Sequence, residues 1–140
     1  MTAAVLAAFC LTWPAALPRQ IDRAAHAAGV PSVLLAALVG GESTCDRNRV
    51  SSKGAIGYGQ ILPGGSAAKG HTTKQLRRVR LNLRLAAEHL RKGLQLCGGK
   101  WDEAVSFYAA IWPCSAGPYG KKVAGAAERV LAKFNNGRRS

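Results

Sequence analysis

One carboxylate stands at the end of the most apolar run of the chain, Val33-Leu34-Leu35-Ala36-Ala37-Leu38-Val39-Gly40-Gly41-Glu42. In helical register Glu42 falls four residues after Leu38, three after Val39 and seven after Leu35, so its side chain emerges beside the stripe that faces the core. Desolvation there disfavours the ionised form and keeps the group available as a proton donor near neutral pH, which is the tuning a general acid needs. The plainer alternative is a helix-end carboxylate leaning into water. The next segment of the chain is equally unusual: from Thr44 to about Thr73 no helical stripe runs, and six glycines interrupt it, at positions 54, 57, 59, 64, 65 and 70. So many flexible positions suggest a loop whose backbone turns tightly or lies close to a ligand.

The elements that must position this pair are helical, because apolar spacings are threes and fours and no alternation of two persists. A first helix is expected from about Arg19 to Ala28, stopped by Gly29, and a second from Pro31 to the Gly40-Gly41-Glu42-Ser43 segment. The clearest stripe is Leu76, Leu83, Ala87, Leu90, Leu94 and Cys97, with Arg77, Arg80, Arg84 and Arg91 on an adjacent face. That basic face is either a surface for polyanions or simply solvated. A fourth helix should cover Trp101 to Ile111, and a last one about Lys121 to Phe134, fraying into a basic tail from Asn135 to Ser140.

At 140 residues the chain fits one compact all-α domain, with no repeat or linker dividing it. Twenty Lys and Arg against seven Asp and Glu give a net charge of +13, which draws the protein to polyanions such as nucleic acid, an anionic membrane or an acidic wall polymer. No run reaches the roughly 18–20 apolar residues that span a bilayer. Residues 1–16 form an apolar stretch ending in small residues, like a signal peptide for a periplasmic or secreted protein, although no basic segment leads it. Domain boundaries are then 1–16 for the leader, 17–134 for the folded part and 135–140 for the tail. If Cys10 leaves with the leader, Cys45, Cys97 and Cys114 remain, enough for one disulfide and one free thiol. Cys97 and Cys114 are the favoured pair, since they flank a short helical segment whose ends can meet over a turn; small buried thiols are the alternative.

The glycine-rich segment carries a pattern. Gly41-Glu42-Ser43, followed by Val50-Ser51-Ser52-Lys53-Gly54-Ala55-Ile56-Gly57-Tyr58-Gly59-Gln60-Ile61-Leu62-Pro63, resembles the lytic transglycosylases of the goose-type lysozyme superfamily. Weaker likeness continues through Asn82-Leu83, His89-Leu90, Ala104 to Tyr108, and Tyr119 with Lys122-Val123, so that about Ala24 to Val123 is covered. Three departures stand out: Tyr58-Gly59 where the family usually has Leu-Met, His89 for a tyrosine, and Ala109-Ala110-Ile111 for Asn-Ala-Gly, which removes an amide that often lines the cleft.

The resemblance implies a lysozyme-like helical fold whose glycine-rich loop forms part of the cleft, and a monomer that needs no cofactor or metal. It implies cleavage of the β-1,4 bond between N-acetylmuramoyl and N-acetylglucosaminyl units of peptidoglycan, with anionic wall polymers as further partners and no nucleic acid. Glu42 is then acid and afterwards base, the substrate's N-acetyl group assists, and the 6-hydroxyl attacks to leave a 1,6-anhydro end. Ser51 and Gln60 are expected to hold the muramoyl unit or orient Glu42, and Tyr58, Tyr108 and Tyr119 to line the sugar cleft. A two-carboxylate mechanism would need a partner about 5–10 Å away. Asp22, Asp46, Glu88, Asp102, Glu103 and Glu128 lie outside the apolar run or on polar faces, and none is an obvious candidate. Three rivals remain: a hydrolytic lysozyme, a silent wall-binding protein, and a basic nucleic-acid-binding domain using the arginine-rich helix.

Overall fold

The computed structural model describes residues 1–109 and 114–139. Among them seven helices run in order: α1 (Ala3–Leu6), α2 (Leu17–Ala28), α3 (Ser32–Ser43), α4 (Thr73–Leu76), α5 (Val79–Leu96), α6 (Trp101–Tyr108) and α7 (Pro118–Arg139), with a one-turn 3-10 helix at Ser66–Ala68. Among the described residues the extended pairing amounts to isolated bridges of Val50 with Ile56 and Ile56 with Ile61, so the fold is all-α as expected.

Helix α3 is the axis of the core. Its residues from Leu34 to Val39 are buried on every side, which is why it carries almost no polar face. Around it, α2 packs on α5, α5 on α6, α6 on α7 and α7 back on α3. Arg91 reaches from α5 to the end of α2 and donates to the carbonyls of Ala28 and Gly29 at 3.1 and 3.2 Å, so one of the basic-face arginines serves as a helix cap. No single described helix is long and apolar enough to cross a membrane. Helices α2 and α3 reach that length only together, and they meet at 120°.

The long arginine-rich helix is broken. Thr72 Oγ1 accepts the Gln75 N–H and Gln75 Oε1 accepts the Thr72 N–H, a capping box that starts α4; the chain then turns extended at Arg78 before α5 begins. Leu76 and Leu83 therefore sit on different helices, although both are buried. Helix α6 is described to Tyr108, and Ala110 and Ile111 of the expected fourth helix lie outside the described residues. Helix α7 begins at Pro118 and continues through Arg139, so Asn135 to Arg139 are helical and do not form the frayed tail that their composition suggests.

Residues 1–16 pack onto the domain. Leu6 is fully buried, the terminal ammonium pairs with Asp22, and Cys10 is bonded to Cys45 just after α3. The backbone carbonyl of Phe9 lies so close to Gly40 that a Cβ there would come within 2.6 Å of it. A second disulfide joins Cys97 at the end of α5 to Cys114 ahead of α7, and the described residues hold no free cysteine.

Candidate active site

Glu42 occupies the last turn of α3 and is half-buried. Burial lifts its pKa from the ordinary 4.5 to about 7, and the phenol of Tyr119 opposes part of that rise. A position at the partly negative end of a helix acts in the same direction as burial. Behind it the backbone makes an abrupt exit: Thr44 and Cys45 both take left-handed conformations, with φ of 53° and 62°, and the Cys10–Cys45 link fastens that turn. Ser43, wholly buried, returns its hydroxyl proton to the Val39 carbonyl at 2.9 Å.

Tyr119 stands at the start of α7 against the same turn of α3. A Cβ on Gly41 would lie 2.9 Å from the Tyr119 hydroxyl and 3.0 Å from Val123, so only glycine lets α7 come this close beside Glu42. The Tyr119 hydroxyl is buried and, among the described residues, has no partner at ordinary hydrogen-bond geometry. It is nevertheless coupled to Glu42, since burial first and the neighbouring carboxyl second push its pKa upward. The phenol is thus the polar group that shares the buried surroundings of the acid and favours its ionised form.

The glycine-rich loop is gripped from both sides at Gly59. Its N–H donates to Asn82 Oδ1 at 2.8 Å and its carbonyl accepts from the Tyr108 hydroxyl at 2.6 Å, so α5 and α6 each grip one side of the same peptide segment. A Cβ on Gly59 would stand 2.7 Å from the Ala86 methyl and 2.9 Å from the Tyr108 hydroxyl. The departure from the family pattern at this position thus has a steric cause. Asn82, 1% exposed, spends its amide protons on the carbonyls of Ile56 and Leu76 at 2.8 and 2.9 Å, the second of which the break between α4 and α5 leaves open.

The site residues expected from sequence separate into two groups. Tyr108 and Tyr119 both feel the charge of Glu42, and Tyr108 does so from a buried position with its pKa pushed well up, by burial first. Gln60, in a left-handed conformation at φ 51°, donates its amide to the carbonyls of Gly57 and Arg49 at 3.0 and 3.1 Å and so folds the loop on itself. Ser51 Oγ accepts the Ala55 N–H at 3.0 Å, a turn role. Tyr58 is 1% exposed and packs in the core. His89 packs against Phe107 and Tyr108, with ring centroids at 5.3 and 5.2 Å, and burial first, then nearby Lys92 and Lys69, lower its pKa. Asn82 is visible in the sequence as part of the resemblance only; its signal is an amide set next to Leu83 in the core stripe.

The remaining acids are engaged elsewhere. Asp22 pairs with the N-terminus, Glu88 with Lys69 and Arg84, and Glu103 with Lys100. Asp46 and Asp102 accept the backbone N–H groups of Asn48 and Glu103, and Glu128 is exposed on α7.

No curated protein matches the chain significantly. The family model of the transglycosylase SLT domain matches residues 19–132, which spans α2 to α7 and takes in Glu42, the Gly59 clamp and Tyr119. The chain belongs to the transglycosylase SLT domain family and has its peptidoglycan-acting, lysozyme-like character.

Proposed function

We propose that the protein is a lytic transglycosylase that cleaves the β-1,4 bond between N-acetylmuramoyl and N-acetylglucosaminyl units, with Glu42 as its single acid and base. The observation that carries this reading is the half-buried place of Glu42 at the end of a buried helix, against Tyr119, where burial lifts its pKa to about 7. A carboxyl so tuned holds its proton at neutral pH and can release it. In the first step Glu42 gives its proton to the glycosidic oxygen; the C1–O bond breaks, and the carbonyl oxygen of the N-acetyl group closes on C1. In the second, the Glu42 carboxylate takes the proton of the 6-hydroxyl, whose oxygen attacks C1 and displaces the acetamido oxygen. The product is a 1,6-anhydro end, and Glu42 is protonated again.

The other acids support one carboxylate acting in both roles, because each is paired, turned back on the backbone or exposed. Tyr119 stabilises the ionised form of Glu42 between the two steps, which is the sense in which its phenol lowers that pKa. Tyr108 and Asn82 act at one remove: they fix Gly59, and with it the glycine-rich loop. Gln60 offers its carbonyl oxygen, its amide protons being spent within the loop. The two disulfides suit a protein working in an oxidising compartment such as the periplasm or outside the cell.

The experiment is turbidity loss of purified cell walls with the parent and Glu42→Gln. The variant should leave walls intact while keeping its helical circular dichroism. Equal clearing by both would reject the assignment of the acid.

A further inference from the structure

The net charge of +13 is not spread evenly. Helix α2 turns Gln20, Arg23 and Ala27 toward solvent along one face, and the first turns of α5 bring Arg80 and Arg84 alongside them. Between these two helices lies a cavity of about 420 Å³, lined by Gln20, Arg23, Ala24, Ala27, Arg80, Leu83 and Arg84. A second cavity of about 420 Å³ adjoins it, walled by Arg78, Leu81 and the same Arg80 and Arg84. Four guanidinium groups thus border one continuous track, and no acid lines either hollow.

These arginines are not balanced inside the fold. Among the described residues Arg23, Arg78 and Arg80 make no ion pair. Arg84 reaches Glu88 only at 3.6 Å, and that carboxylate is held by Lys69 at 2.5 Å. Arg91, by contrast, faces the end of α2 and is occupied there. Packing four cations around a hollow, three of them without an ion pair among the described residues, costs self-repulsion, which an anion placed between them relieves. Guanidinium forks match phosphate oxygens in pairs, and Arg80 and Arg84, one helical turn apart, can engage successive groups of a chain. The lining also says what the ligand lacks. Its remaining surface is Gln20, two alanines and Leu83, with no aromatic ring on which a base could stack.

We propose that the α2–α5 track binds the phosphate groups of a wall-linked phosphodiester polymer, and so holds the enzyme on its substrate at a place that takes no part in the chemistry at Glu42. The source of the polymer rests on the wall-acting function proposed for Glu42, but the binding itself does not depend on cleavage. The side chains that hold Glu42, Tyr119 and Gly59 are others than those lining the track.

The test is co-sedimentation of the full chain with cell walls that carry phosphodiester polymers and with the same walls stripped of them by hydrofluoric acid. Arg23→Gln/Arg80→Gln/Arg84→Gln, three exposed positions, should bind the intact walls at least ten-fold more weakly than the parent. It should bind stripped walls as the parent does and cleave them at the parent's rate. The dependence of log affinity on log salt for intact walls should flatten by about 2. Undiminished sedimentation of the triple variant with intact walls would overturn the proposal, as would an equal loss on stripped walls. A loss confined to duplex DNA would overturn it too, since it would make the track a nucleic-acid surface. Because sedimentation is read without turnover, an inactive parent would fail the turbidity assay and leave this result standing.

Discussion

Replacing Glu42 by glutamine should make the protein more stable, and by an amount that depends on pH. In the unfolded chain this carboxyl ionises near its ordinary 4.5, and in the folded protein near 7. Folding therefore favours the protonated form. Stability from this group is complete below about pH 4.5, falls as pH rises through the interval, and is lowest above 7, where the folded protein must hold a half-buried carboxylate. Carried through fully, that difference costs roughly 3 kcal/mol, and about 2 once water reaching the exposed part of the group is allowed for. Glutamine keeps the shape and never ionises. The parent and Glu42→Gln should melt within about 2 °C of each other at pH 4, while at pH 9 the variant should melt about 6–8 °C higher, at roughly 3–4 °C per kcal/mol for a domain of this size. Differential scanning calorimetry at the two values measures the contrast, and all other titrating groups cancel in the difference. A gap of the same size at both values, or a variant favoured only in acid, would refute the burial account of Glu42.

The same carboxyl should control the rate: kcat/KM on soluble glycan fragments should hold below neutral pH and decline above about 7 as the proton donor is lost. Tyr119→Phe removes the group that lowers that pKa, so the alkaline limb should move to higher pH; movement the other way would remove Tyr119 from the site. Asn82→Ala strips Gly59, Ile56 and Leu76 of buried partners and should cost about 3 kcal/mol in urea unfolding, against near neutrality if the loop were not pinned there. Protein that retains residues 1–16 in an oxidising compartment should carry both disulfides, read by intact mass. A species lacking residues 1–16, with one titratable thiol from Cys45, would instead identify that stretch as a removed leader. Cys10→Ser should lower the unfolding free energy by about 4 kcal/mol through its 35-residue separation, and Cys97→Ser by about 3 through its separation of 17.

Much of the helical frame is legible because it rests on period alone. Gly29 marks the end of α2, and the stripe through Leu83, Ala87 and Leu90 is core as its spacing says. Glu42 is legible for a related reason, since an acid that closes an apolar run must be desolvated when the run is buried on all sides. What the sequence hides are interactions between distant segments. Nothing local to Asn82 tells that it holds a glycine 23 residues earlier, and nothing local to Gly41 tells that a tyrosine from α7 lies against it. The break at Arg78 is hidden because the apolar spacing from Leu76 to Leu83 fits one helix as well as two; the capping pair Thr72 and Gln75 is the signal to weigh. Tyr58 and Ser51 show how proximity to a motif differs from position in the fold. Position beside a motif makes them candidates for sugar contacts, while the fold uses one in the core and the other in a turn. Residues 1–16 read as a leader by composition, because a short apolar helix and a signal sequence share that composition; the approach of Cys10 to Cys45 and of Phe9 to Gly40 joins segments distant in sequence and leaves no local mark.

A single carboxyl serving as both acid and base is tested most directly by the products of purified peptidoglycan, separated and weighed by mass spectrometry after digestion with the parent and with Glu42→Gln. Fragments ending in 1,6-anhydro-N-acetylmuramoyl units from the parent, and none from the variant, are the predicted result. Reducing ends alone from the parent would assign the second step to water, and anhydro fragments released equally by Glu42→Gln would contradict the double role of this one group.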